Sequence, residues 1–198
     1  MIDKIKTKKI AILATDGVEE SELAEPMQAL KDAGAKVEIV SLKAGTIKAW
    51  KHDNWGQEFK VNRTLDEADA SDYQGLVLPG GVINADTLRG NPEAVGFVTD
   101  YVDRHGPVAA ICHGAWILIE ADAVNGRKMT SWPSLRTDLE NAGAHWSDRE
   151  VIIDHGLVTS RKPADLPAFN RHMLEVFGDG VHLRRSMDEQ SDEDRSMH

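Results

Sequence analysis

The chain is poor in cysteine: Cys112 is the only one among 198 residues. A single thiol excludes an intrachain disulfide framework and fits a reducing cytosol. No CxxC or HExxH arrangement occurs, and the eight histidines are scattered, so no metal site is expected. Long apolar runs are missing as well. None approaches the roughly 18 residues of a membrane-spanning helix. The opening segment Met1-Ile-Asp-Lys-Ile-Lys-Thr-Lys-Lys9 is charged and lacks the apolar centre of a secretory signal. Positive charge is the minority sign. Lys and Arg number 23 against 33 Asp and Glu, and the net charge of −10 argues against nonspecific binding to nucleic acid or to an anionic membrane. There is no phosphate loop, and Gly80-Gly81 is not a dinucleotide fingerprint, so no cofactor is expected.

What remains is ordinary soluble composition, 41% hydrophobic and 28% charged, at a length that suits one α/β domain with a full-sized core. That domain is expected over residues 1–178, with an acidic, frayed tail at 179–198 that carries no chemistry. Lys9 to Ala14 is a continuous apolar run, predicted as a buried first strand. A loop from Thr15 to Glu22 leads into a helix whose apolar face is Leu23, Met27 and Leu30, with Gly34 as its stop. Lys36 to Ser41 is the second strand. This opening βαβ unit implies a parallel sheet with a right-handed crossover.

Residues 43–65, with Trp50 and Trp55 among glycines and Asn54, are predicted as a hairpin or an irregular excursion. Gly75 to Gly81 is a buried strand ending in a glycine turn, and the stretch after it, Gly80 to Asp86, is expected as a loop. Asn91 and Pro92 open a helix through Phe97 and Tyr101. Lys128 to Ser131 is predicted as a short strand and Pro133 to Ala142 as helical. His155-Gly156 is the turn of a hairpin, and residues 164–176 form a last helix. Trp116, Trp132 and Trp146 are assigned to core or interface.

Cys112 lies in Pro107-Val-Ala-Ala-Ile-Cys-His-Gly-Ala-Trp116, an apolar run that ends at the thiol and gives way to a small-residue helix start. Strand, sharp turn and helix are how an α/β fold presents a nucleophile. Unpaired N–H groups at a helix start favour thiolate over thiol. A lone cysteine more often fills a core, and the local sequence leaves both readings open. In an open parallel sheet, ligands bind beyond the carboxyl ends of the strands. Three loops meet there: Asp16–Glu22, Gly80–Asp86 and Cys112–Gly114. Glu22 at a helix start is explained either by the helix dipole or as a carboxyl facing Cys112. A protonated Glu22 could donate to sulfur and pass its proton on. Gly81, lacking Cβ, lets its N–H approach a substrate oxygen, and with the N–H of His113 it makes a two-donor oxyanion hole. His113 is a general base or a packing residue.

Taken together, Ala-Ile-Cys-His-Gly at 110–114, Leu-Pro-Gly-Gly at 78–81 and Asp-Gly-Val-Glu-Glu-Ser-Glu at 16–22 resemble the PfpI intracellular-protease family. That family lies within the DJ/PfpI superfamily, itself related to class I glutamine amidotransferases. Thr130 to Arg136 and Val158 to Pro163 are similar to its bacterial stress-protein branch. The resemblance spans about residues 8 to 177. It implies a flavodoxin-like α/β sandwich with a mostly parallel sheet and Cys112 at a nucleophile elbow. It implies Glu22 in contact with the cysteine, His113 beside it, and Gly81 in the oxyanion hole. An acid from a neighbouring subunit completes the triad in archaeal members, and Asp86 stands near that position in a segment longer than the family's. Homodimers or hexamers are implied, with a small carbonyl or a peptide as substrate. The expected function is a cytoplasmic stress-response cysteine enzyme acting on reactive carbonyls or their adducts, as a glyoxalase or deglycase. The alternatives are a PfpI-type cysteine peptidase and a redox sensor or chaperone that uses oxidation of Cys112.

Overall fold

The computed structural model describes residues 4–179. The expected tail therefore lies outside the described residues, apart from Asp179, which ends the last helix and pairs with Lys4 at 2.9 Å.

The centre of the fold follows from three short apolar runs. Strands β1 (Lys9–Leu13), β6 (Gly75–Leu78) and β7 (Val108–Ile111) lie side by side, parallel, and are almost wholly buried. Side chains alternate between the two faces of a strand, so a strand buried on both faces must be apolar throughout. Ile10 and Ile12 pack with Phe169 and Phe177 on one face, while Ala11 and Leu13 pack with Leu76, Leu78 and Phe97 on the other. Strand β2 (Lys36–Ser41) pairs with β1 in parallel.

Helices cover both faces. Helix α1 (Glu20–Asp32) and the last helix, α6 (Leu166–Asp179), share one side. Phe169 and Phe177 of α6 are fully buried there, and truncating either to alanine costs about 3–5 kcal/mol. Helices α2 (Val82–Arg89), α3 (Pro92–Asp103) and α4 (Trp116–Glu120) lie on the other side. The Asn91 side chain caps α3 by accepting from the Ala94 N–H at 3.0 Å, one residue before the proline at its first turn. The result is the expected flavodoxin-like three-layer sandwich. Its seven-stranded sheet runs β10-β11-β7-β6-β1-β2-β5.

The only antiparallel pair in that sheet is β10 (Val151–Asp154) with β11 (Leu157–Ser160). Both turn residues, His155 (φ 41) and Gly156 (φ 86), take positive φ, as a two-residue hairpin requires. Strand β5 (Arg63–Thr64) closes the opposite edge. The tryptophan-bearing excursion is a separate hairpin, β3 (Thr46–Lys51) and β4 (Asn54–Lys60), with Ile47, Ala49 and Phe59 buried beneath it. Lys128 and Met129 form strand β8, which pairs with β9 (His145–Trp146) outside the main sheet, flanking α5 (Arg136–Asn141).

One expectation is overturned. The segment after Gly80-Gly81 is the helix α2, not a loop. Its sequence lacks a capping side chain and opens on β-branched Val82 and Ile83. The deciding interaction is tertiary. Asn84 is fully buried, accepts from the Thr15 N–H at 2.8 Å, and donates to the carbonyls of Pro79 and Gly80 at 3.1 and 3.0 Å.

Candidate active site

Cys112 directly follows β7 and opens a tight turn of 3₁₀ helix, Cys112–Ala115, that leads into α4. Its φ is 59, in the left-handed region. A non-glycine residue held there stores about 1–3 kcal/mol, so the surroundings must impose the conformation. The Trp132 N–H donates to the Cys112 carbonyl at 3.2 Å. Gly114 packs so tightly against the end of β6 that an added Cβ would lie 2.1 Å from the Leu78 carbonyl oxygen. The elbow is pinned from both sides.

Glu22 arrives from the first turn of α1 and is fully buried. The Gly80 N–H donates to its Oε2 at 2.9 Å, its Oε1 is buried without a hydrogen-bond partner, and the carboxyl stands beside the Cys112 thiol, close enough for each to shift the other's ionisation. Gly80 fills the gap between these two groups. A Cβ on it would sit 2.3 Å from Glu22 Oε2 and 2.6 Å from Cys112 Cβ. Burial pushes the Glu22 carboxyl up from 4.5 to about 8, and the nearby Glu19 adds to this, while the Cys112 thiol and the Gly80 N–H act in the opposite direction. Glu22 is therefore protonated at neutral pH.

The thiol differs from the expectation of ready ionisation. Burial, and then the Glu22 carboxylate when it forms, push it well above the usual cysteine range. Helix α4 has only five residues, and a 3₁₀ turn separates it from the sulfur, so little dipole reaches the thiol. Two backbone N–H groups near the sulfur, those of His113 and Gly81, pull the other way. These are the two donors expected around an oxyanion. Gly81 has φ 88, and a Cβ there would strike the Gly17 carbonyl oxygen at 2.4 Å.

His113 places Nδ1 3.4 Å from Cys112 Sγ. Its imidazole stacks on Trp132 (centroids 5.9 Å apart) and meets the edge of Trp116 at 5.4 Å. Burial lowers its pKa, so the ring is neutral at neutral pH. Asp86 is not brought in. It lies on an exposed position of α2 and does not line the cleft. Cys112, Glu22, His113 and Gly81 thus converge, and Asp86 stands apart within this chain.

These groups form the floor of a cleft of about 360 Å³. Its walls are Gly17, Glu19, Trp50, His52, Val82, Ile83, Trp132 and Pro163. A profile of the DJ-1/PfpI family matches residues 8–176. The chain belongs to the DJ-1/PfpI family. Its relatives within that family include YraA of Bacillus subtilis, named as a candidate cysteine protease, which is 41% identical over 86% of this chain and 98% of its own length. Protein/nucleic acid deglycase 2 of Escherichia coli is 42% identical over 87% of this chain and 99% of its own. General stress protein 18 of Bacillus subtilis is 42% identical over 85% and 97%. Among solved structures, a two-domain Anabaena variabilis protein with a DJ-1/ThiJ/PfpI-like and a ferritin-like domain superposes with TM-score 0.82 at 34% identity. The match covers 90% of this chain and 50% of that one.

Sequence reasoning missed four contributors to this DJ-1/PfpI site. Asn84 ties β1, the glycine turn and α2 together, and its only signal was a polar residue three positions after Gly81. Trp132, expected in core or interface, is 38% exposed in this chain and stacks on His113. Trp50 and His52 come from a hairpin whose docking position no local pattern encodes.

Proposed function

We propose that the protein is a cysteine-dependent stress-response enzyme acting on reactive carbonyls or their adducts, of the glyoxalase or deglycase type. The observation that carries this reading is Glu22, a fully buried carboxyl with no cation partner among the described residues, set beside the only thiol in the chain and pushed by burial up to about 8. A carboxyl in that state can give a proton to a new oxyanion and then, as carboxylate, take one from carbon. The names deglycase and stress protein borne by relatives about 40% identical support it.

With a small α-oxoaldehyde the sequence of steps is as follows. Cys112 Sγ adds to the aldehyde carbon, and the thiol proton leaves to His113 Nδ1. The oxyanion forms against the N–H groups of Gly81 and His113 and is protonated by Glu22, giving a hemithioacetal. The proton on the former aldehyde carbon then moves to the neighbouring carbon, and the hydroxyl proton to the neighbouring oxygen, with Glu22 and His113 as carriers. The product is a thioester. Water hydrolyses it to the hydroxyacid and restores the thiol. No redox partner is consumed.

The test is lactate formation from methylglyoxal without glutathione, for wild type beside Cys112→Ala and Glu22→Gln. Loss in both variants supports the reading. Full turnover by Cys112→Ala, or none by wild type, overturns it. A cysteine peptidase is the second reading, favoured by the 3.4 Å approach of His113 to sulfur and by the name of YraA. It requires an acid to orient His113, and the exposed Asp86 could serve only from a neighbouring copy. Absence of cleavage of small peptide amides at high enzyme concentration would remove it.

A further inference from the structure

The β3–β4 hairpin stands outside the main sheet, yet it is fastened to the loop that delivers Glu22. The Gly17 N–H donates to the Lys48 carbonyl at 2.9 Å, and the Trp50 N–H to the Val18 carbonyl at 2.7 Å. The Lys48 N–H donates to Asp16 Oδ1 at 2.7 Å. Glu20 completes the fastening by accepting from the Gln57 N–H at 2.7 Å and pairing with Lys51 at 2.8 Å. Gly56 leaves the room for this, since a Cβ there would lie 2.1 Å from Glu20 Oε2. The hairpin is a fixed wall, and the wall faces the cleft with Trp50 and His52.

The chemistry of that wall is narrow. The Trp50 indole N–H is already spent on the His52 carbonyl at 2.8 Å, so toward the cleft the ring offers apolar and π surface. On the rim, Val82 and Ile83 are 55% and 47% exposed, and Trp132 contributes a second indole. A volume of about 360 Å³ lies in the range of sites that hold a drug-sized ligand, roughly 300–1,000 Å³. A bare three-carbon dicarbonyl would leave most of it, and all of the aromatic wall, unused.

We propose that the β3–β4 hairpin is the selecting wall of the cleft, and that it favours carbonyl compounds carrying a flat aromatic group seated against Trp50 and Trp132. This rests on Cys112 being the group that meets the carbonyl. It does not require turnover, and the test is chosen accordingly.

The sole cysteine makes the measurement clean. Its alkylation by 2-bromoacetophenone and by bromoacetone is followed by mass at Cys112, with N-acetylcysteine as the unselective reference. In each reaction the S–C bond forms, the C–Br bond breaks, and the thiol proton leaves with bromide. For the folded protein the aryl-to-methyl rate ratio should exceed the reference ratio by about tenfold, equivalent to about 1.4 kcal/mol. Trp50→Ala should bring it to within about twofold of the reference, and Trp50→Leu, which keeps an apolar side chain at that position, should fall likewise. Trp50→Phe should retain most of the selectivity. A wild-type ratio equal to that of N-acetylcysteine overturns the proposal without any variant, and so does full selectivity in Trp50→Leu. Selective alkylation together with absent methylglyoxal turnover would remove the glyoxalase reading alone. Turnover with unselective alkylation would remove the selecting wall alone.

Discussion

Two acids stand at helix starts, equally hidden from water, and they do opposite things. Asp165 precedes α6 and is 2% exposed; Glu22 opens α1 and is 0% exposed. Asp165 is gripped by Arg161 through Nε at 2.9 Å, Nη2 at 3.0 Å and the backbone N–H at 3.1 Å. The hydrogen bonds it donates to Asp165, and then to Asp148, hold the Arg161 guanidinium firmly in its charged form. Among the described residues Glu22 has no cation partner: one backbone N–H donates to it, and its other oxygen is unpaired beside the thiol. Burial alone does not make a carboxyl chemical. A bidentate cation occupies both carboxylate oxygens and makes the acid structural, whereas a carboxyl set beside a thiol with no cation keeps an oxygen open for proton transfer.

The largest expected effect tests the chemical half of that contrast. Glu22→Gln keeps the shape and removes the transferable proton, so carbonyl turnover should fall about 100- to 10,000-fold, measured as kcat on methylglyoxal. Equal turnover would place Glu22 with Asp165 as a structural acid.

The next is a pH effect with a defined sign. In the unfolded chain Glu22 ionises near 4.5, and in the fold near 8. Across that window the folded state binds more protons, so stability falls as pH rises. The unfolding midpoint of Glu22→Gln relative to wild type should therefore climb between about pH 5 and about pH 9. A constant difference would mean that Glu22 ionises normally. Wild-type turnover should likewise decline above about pH 8, where the carboxyl loses its proton.

Asp165→Ala tests the structural half. It strips Arg161 of its buried partner and should cost about 1.5–3 kcal/mol in denaturant unfolding, with kcat changed little. A collapse of kcat at unchanged stability would reverse the comparison.

The smallest effect comes from a third acid. Glu20, two residues before Glu22, holds an exposed Lys51, whose side chain is 57% exposed. Such a pair is worth little in water, so Lys51→Ala should leave the unfolding midpoint nearly unchanged.

Much of this was legible locally. The apolar runs at 9–14 and 75–81 and the run ending at Cys112, the Asn91-Pro92 helix start and the His155-Gly156 turn depend on neighbours in sequence, and they form, with the strands spanning 9–13, 75–78 and 108–111. Helix α2 did not, because Asn84 chooses its conformation through Thr15, 69 residues away. Cys112 at the end of a buried strand was visible as an elbow, but not the weakly acidic state of its thiol. That state follows from how deep the elbow sits and from the carboxyl beside it.

The sequence by itself determined the layered α/β frame and which side chains could do chemistry, since strand burial, glycine turns and helix caps are short-range matters. Only the tertiary structure decided which of those side chains meet. Glu22 and Cys112 are 90 positions apart in the chain. They share one cleft because β1, β6 and β7 are parallel neighbours whose carboxyl ends open on one edge. Their protonation was decided there too, because the energy of a charge depends on the water and partners around it, and a sequence carries neither.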